Sequence, residues 1–192
     1  MNGDRAEEML MALGEVLEQQ GSEPFDLVVC GGMALVMQDL IARPTRDIDG
    51  IALVVQEGGS LELRKPLMSR EFHAAVERVG VVYGKGRNWL NVGAISLHDT
   101  RLPAGLAERA VKKQYGSRLV IRLCSRADLV SLKMWAALWR SGPDIDDLRE
   151  MGATKEEAIA GFEWCLEQDG EREDLLLILR EIGHGELAER LT

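Results

Sequence analysis

Asp47 and Asp49 stand one residue apart at the opening of an apolar run, in the stretch Arg43-Pro-Thr-Arg-Asp-Ile-Asp. In a strand, alternate side chains share a face. The two carboxylates then point the same way, with Cα atoms about 6.6 Å apart, and Ile48 points into the core. Two facing carboxylates repel unless a cation sits between them. Hard divalent ions such as Mg2+ accept that arrangement, usually with substrate phosphates completing the shell. Upstream, Gly31-Gly32 separates the run Phe25 to Cys30 from Met33-Ala-Leu-Val. Glycine lets backbone N–H groups approach an anion closely, and a helix N-terminus favours negative charge. Strand, Gly-Gly, helix, then a strand with Asp-x-Asp therefore reads as a metal–nucleotide site. Each half alone has a plainer explanation, a solvated strand end or a tight turn. The order and spacing of the two together carry the reading.

A second group of charges lies downstream. Lys133 and Arg140 are seven residues apart and share a helix face. Lys133 is long enough to reach a triphosphate, and it is equally a candidate for a lysine that snorkels at the surface. Asp144 and Asp147, three apart, also share a face. They orient Lys133, help a metal site, or form an acidic helix start favoured by the dipole. His73, His98 and His184 show no ligand spacing. Cys30, Cys124 and Cys165 lie in apolar runs without a CxxC pattern, as buried thiols of a reducing cytoplasm do. Trp135 and Trp139, four apart, read as packing residues. Trp89 follows Gly84-Lys-Gly-Arg-Asn88 and is the tryptophan placed to touch a substrate.

These residues need elements to hold them. Met9, Leu10, Leu13, Val16 and Leu17 have helical spacing over residues 4–19, and Gly21 and Pro24 end that helix. Phe25 to Cys30 reads as a strand, Met33 to Ile41 as a helix, Asp47 to Val55 as a strand, and 68–79 as a helix. Gly93 to Leu97 and Arg118 to Leu123 are strand candidates, with a basic, helical segment between them. From Ser125 the texture changes. Ser125-Arg-Ala-Asp128 resembles a capping box and starts a helix to about Arg140. Ser141-Gly142 breaks it, Pro143 opens the next, and Thr154-Lys-Glu-Glu157 is a second capping box. The expected organisation is an α/β core with an N-terminal helix over 1–124, followed by a helical region over 125–192.

The chain has 192 residues, 46% of them apolar, enough for one substantial core. No run approaches the roughly 18 apolar residues of a membrane span, and Met1 to Glu8 lacks a signal-peptide core. The expectation is a cytoplasmic protein without a membrane partner. Net charge is −9, which argues against a general nucleic-acid binder. Its distribution is uneven. Residues 1–63 hold 3 basic and 12 acidic side chains, 64–143 hold 15 and 5, and 144–192 hold 5 and 15. A positive middle suits a site that receives phosphates, and a solvated surface also produces one by chance.

Gly31-Gly32-Met-Ala-Leu35 followed by Arg43-Pro-Thr45-Arg46-Asp47-Ile48-Asp49 resembles the signature of the nucleotidyltransferase-fold superfamily. The resemblance is to the bacterial branch that includes AbiEii-type abortive-infection toxins and related uncharacterised proteins. Asn88-Trp-Leu-Asn91 resembles a segment of the uncharacterised members. Ala127 to Lys133, Ala136, Arg140 and Asp144-Ile-Asp-Asp147-Leu148 resemble their later pattern. The resemblance spans roughly residues 25 to 150. It implies an α+β fold, a mixed sheet packed on helices with a helical C-terminal part. It implies Asp47 and Asp49 as catalytic ligands of Mg2+ (or Mn2+) and Lys133 as a further catalytic residue. Gly31, Gly32, Thr45, Arg46, Arg140, Asp144 and Asp147 would bind nucleotide. Such proteins transfer a nucleoside monophosphate from a nucleoside triphosphate to a hydroxyl. Toxin relatives modify RNA, notably tRNA ends, so RNA or tRNA and a cognate antitoxin are the partners that a toxin reading adds. The alternative is a catalytically degraded relative that binds nucleotide or a protein partner without transfer. A kinase-like transfer on the same fold is a third reading. Two departures bear on activity. The superfamily's third carboxylate is missing from Arg118 to Cys124, with Asp99 the nearest substitute, and Pro143 replaces a lysine.

Overall fold

In the computed structural model, which describes residues 1–98, 102–140 and 142–192, the first element is α1, Gly3–Gln19. Asn2 caps it by accepting the Arg5 N–H at 3.1 Å. Its stripe Ala6, Met9, Leu10, Leu13 and Leu17 is fully buried, as helical spacing dictates. There follow β1 (Phe25–Cys30), α2 (Gly31–Val36), β2 (Ile48–Glu57), β3 (Ser60–Arg64), α3 (Arg70–Val82) and β4 (Leu90–Asn91). A 3-10 helix (Gly93–His98), α4 (Leu106–Arg109), β5 (Val111–Tyr115) and β6 (Leu119–Leu123) complete the unit Met1–Cys124.

The strands form one mixed sheet in the order β3-β2-β1-β6-β5, with β4 also paired to β2. β1 lies in the middle, antiparallel to β2 and parallel to β6. Its Leu27, Val28 and Val29 are fully buried. That is what a strand covered on both faces requires. A bulge between Val28 and Val29 sets Cys30 opposite Asp49. β2 changes partners along its length: Ile48 and Asp49 pair with Leu90 and Asn91 of β4, and Leu53 to Glu57 pair with β3.

The unit Ser125–Thr192 is helical. It contains α5 (Arg126–Trp139), α6 (Pro143–Met151), α7 (Lys155–Glu167), α8 (Arg172–Glu181) and α9 (Gly185–Leu191). Ser125 caps α5 by accepting the Asp128 N–H, Pro143 opens α6, and Thr154 with Glu157 forms a full capping box on α7. Leu129, Val130, Met134, Leu148, Phe162, Cys165, Leu175 and Leu179 make its core. The α+β architecture expected from the sequence, a mixed sheet packed on helices with further helices at the C-terminal end, is the one observed.

Local expectations needed correction. The helix expected over Met33 to Ile41 is a shorter one that begins at Gly31. Gly93 to Leu97 is 3-10 helix rather than strand, because a short apolar run cannot be assigned by periodicity alone. The basic segment before β6 is mostly strand, β5, with only the single turn α4 ahead of it. β3 was not anticipated. Asp99 and Ser141 lie outside the described residues.

Candidate functional site

β1 delivers the chain to Gly31, whose φ of +70° only glycine adopts freely. The reason for the second glycine is steric. A Cβ on Gly31 would lie 2.9 Å from Asp49 Oδ2, and one on Gly32 would lie 2.8 Å from Thr45 Cγ2 and 3.6 Å from an Arg43 guanidinium nitrogen. The Gly-Gly turn and the Arg43 to Asp49 segment are therefore packed directly on one another. Asp49 is half-buried in β2, and Asp47 is half-buried immediately before it, with Ile48 buried between them. The strand begins one residue later than expected, so Asp47 belongs to the loop end rather than the ladder.

The loop itself is tied down. Thr45 donates its hydroxyl to the Asp47 carbonyl at 3.3 Å, and its backbone N–H donates to Met1 O at 3.0 Å. Arg46 is exposed. β4 closes the other side: Ile48 N–H donates to Trp89 O at 2.7 Å, and Asn91 Nδ2 donates to Asp47 Oδ2 at 3.1 Å. Arg43 and Asn91 are thus members of the site to which the sequence alone assigned no role. Both were visible in the motifs, but only the fold sets them against Gly32 and Asp47. Trp89, placed by its loop as a substrate contact, is 2% exposed. Its indole N–H donates to Val76 O at 2.7 Å, so it anchors β4 onto α3.

Lys133 is buried on α5 and not a snorkelling lysine. Its ammonium contacts Asp144 Oδ1 at 2.6 Å and Asp147 Oδ2 at 2.7 Å. Arg140 Nε meets Asp144 Oδ2 at 3.1 Å, with the Arg140 side chain 73% exposed. Two buried carboxylates thus enclose one lysine, and Asp144 also holds one outward-facing arginine. A buried charge survives only when paired in this way. Trp135 packs against Trp139 and Trp164 edge to face, at 5.9 and 6.2 Å. Trp139, expected in the core, is 75% exposed at the end of α5.

β6 carries no carboxylate. Arg122, opposite Val28 in the parallel ladder, forks onto Asp26 at 2.7 and 2.9 Å. Among the described residues no three His, Cys, Asp or Glu side chains form a metal-binding group. Asp47 and Asp49 alone are an oxygen donor set that suits Mg2+ when substrate phosphates supply the remaining ligands. No helix of the described residues is long and apolar enough to cross a membrane.

Residues 8–157 match the family model described as "Nucleotidyltransferase of unknown function (DUF6036)". No curated protein and no solved structure gives a significant match.

Proposed function

The chain belongs to this nucleotidyltransferase family, and we propose that it transfers a nucleoside monophosphate from a nucleoside triphosphate to a hydroxyl, with Asp47 and Asp49 holding Mg2+ or Mn2+. The observation that carries this reading is the packing of the Asp49 carboxylate on Gly31, with Asp47 beside it at the end of β2. When bound, the ion would neutralise charge on the triphosphate and its attacking and leaving oxygens. The acceptor oxygen bonds to the α-phosphorus, the bond to the bridging oxygen breaks, pyrophosphate leaves, and the hydroxyl proton passes to solvent. Positioning and charge neutralisation dominate such a transfer. Gly31 and Gly32 keep the turn free of side chains, Thr45 fixes the loop, and Arg46 contributes exposed positive charge. In the helical unit, Arg140 is the exposed cation, and Asp144, itself paired with the buried Lys133, holds it.

A specific observation favours the second reading, a relative that binds nucleotide without transfer. β6, the strand next to β1, carries no carboxylate, and its one charged residue, Arg122, is committed to Asp26. The deciding experiment incubates the protein with each nucleoside triphosphate, labelled in parallel at the α- or the γ-phosphate, Mg2+ or Mn2+, and total RNA. Label on RNA in the parent, lost in Asp49→Asn, supports transfer to RNA or tRNA. Nucleotide binding without label transfer supports the degraded relative, and transfer of γ-label alone supports a kinase. The toxin reading, with an antitoxin partner, rests on the motif resemblance. Its test is induced expression: growth arrest by the parent and none by Asp49→Asn.

A further inference from the structure

We infer that Asn91 is a positioning residue for Asp47, turning that carboxylate toward the cation. The inference rests on the metal reading above. Asn91 sits on β4 opposite Asp49 in the parallel ladder. Its amide orientation is fixed by chemistry rather than choice. The Gly93 backbone N–H, which can only donate, lies 2.6 Å from Asn91 Oδ1. The NH2 group is therefore on the opposite side. It donates to Asp47 Oδ2 at 3.1 Å and to Asn88 O at 3.4 Å, which occupies both of its hydrogens. Gly93 is part of the device: a Cβ there would stand 2.7 Å from Asn91 Oδ1 and push the amide out of place. The buried Trp89 holds the strand that carries it.

One Asp47 oxygen is thus engaged by a neutral donor. That donor disperses charge on the Asp47 carboxylate and restrains its orientation. Hydrogen bonds of this kind to a ligating carboxylate set its direction, and losing one weakens metal affinity about 10- to 100-fold.

The test is Mn2+ binding followed by electron paramagnetic resonance, without and with each α,β-methylene nucleoside triphosphate. It compares the parent with Asp47→Asn, Asn91→Ala and Gly93→Ala, all held well below their melting temperatures. Gly93→Ala keeps the asparagine and displaces only its amide, so it serves if Asn91→Ala does not fold. The expected result is tight binding by the parent, none by Asp47→Asn, and at least tenfold weaker binding by both of the others. If the parent and Asp47→Asn behave as expected but both other variants match the parent affinity, Asn91 is merely structural and the inference falls while the metal reading stands. If the parent binds no Mn2+ under any condition, the metal reading falls first and takes Asn91 with it.

Discussion

Gly32 and Thr45 show what a single residue contributes here. Gly32 lies outside the left-handed region, so its need for glycine comes from the Thr45 methyl group alone. Gly32→Ala should cost about 1–3 kcal/mol as an overpacking change. Thr45→Ser keeps the hydroxyl and removes the methyl. In that background Gly32→Ala should cost at least about 1 kcal/mol less, a coupling of the size that contacting residues show. Urea unfolding of the four proteins measures it, and equal costs in both backgrounds would refute the contact. Cys165 makes a second residue-scale case. Burial pushes its thiol up to about 12 from an ordinary value near 9. Because the folded value is the higher one, its contribution to stability is complete below about pH 9 and is lost as pH rises toward 12. All three cysteines are buried, and none is in a disulfide. Iodoacetamide at pH 8 should therefore modify none of them in minutes and all three after denaturation. Rapid labelling of the native protein would contradict this. The Asp-x-Asp and Gly-Gly residues were legible in the sequence because their chemistry is unusual. Asn91 and Arg43 were not assigned roles, since a polar residue acquires one only from what the fold puts opposite it.

At the scale of elements, legibility followed burial. β1 was read to the residue, because an apolar run between Pro24 and Gly31-Gly32 has few other fates. The capped helices α5 and α7 were likewise read from Ser125 and Thr154. β3 and β5 were not, because both lie at sheet edges. β3 exposes Ser60, Glu62 and Arg64, and β5 exposes Val111, Lys112 and Gln114, so neither presents a two-sided apolar run. β5 is held by α1, where Glu7 accepts from the Tyr115 hydroxyl at 2.5 Å and from Lys113. The same helix approaches so closely that a Cβ on Gly14 would stand 2.3 Å from Tyr115 O. Helix propensity predicts that Gly14→Ala stabilises by up to about 1 kcal/mol. Contact with backbone that cannot rotate away should outweigh it, with a net loss of about 1–2 kcal/mol. A melting temperature raised by Gly14→Ala would show that α1 is not pressed on β5.

At the scale of the whole molecule, the three-part charge pattern has a structural explanation that neither sequence reading offered. The positive middle pairs with the negative ends inside each unit. Arg64, Lys113 and Arg122 meet Glu57, Glu7 and Asp26. Arg126 meets Glu157, Lys133 meets Asp144 and Asp147, and Arg140 meets Asp144. Among the described residues, at least six basic side chains of 64–143 are therefore committed to pairs. The pattern by itself is no argument for a phosphate-binding surface, and the case for one returns to Asp47, Asp49 and the Gly-Gly turn. The most direct measurement is thermal melting of the parent, Asp47→Asn and Asp49→Asn, with and without Mg2+ plus each nucleoside triphosphate. A ligand that binds only the folded state stabilises it by RT ln(1 + [L]/Kd), about 2.7 kcal/mol at a hundredfold excess over Kd. The account predicts such a shift for the parent with at least one nucleotide, and none for either variant. A parent indifferent to every nucleotide, or variants that shift as the parent does, would contradict it.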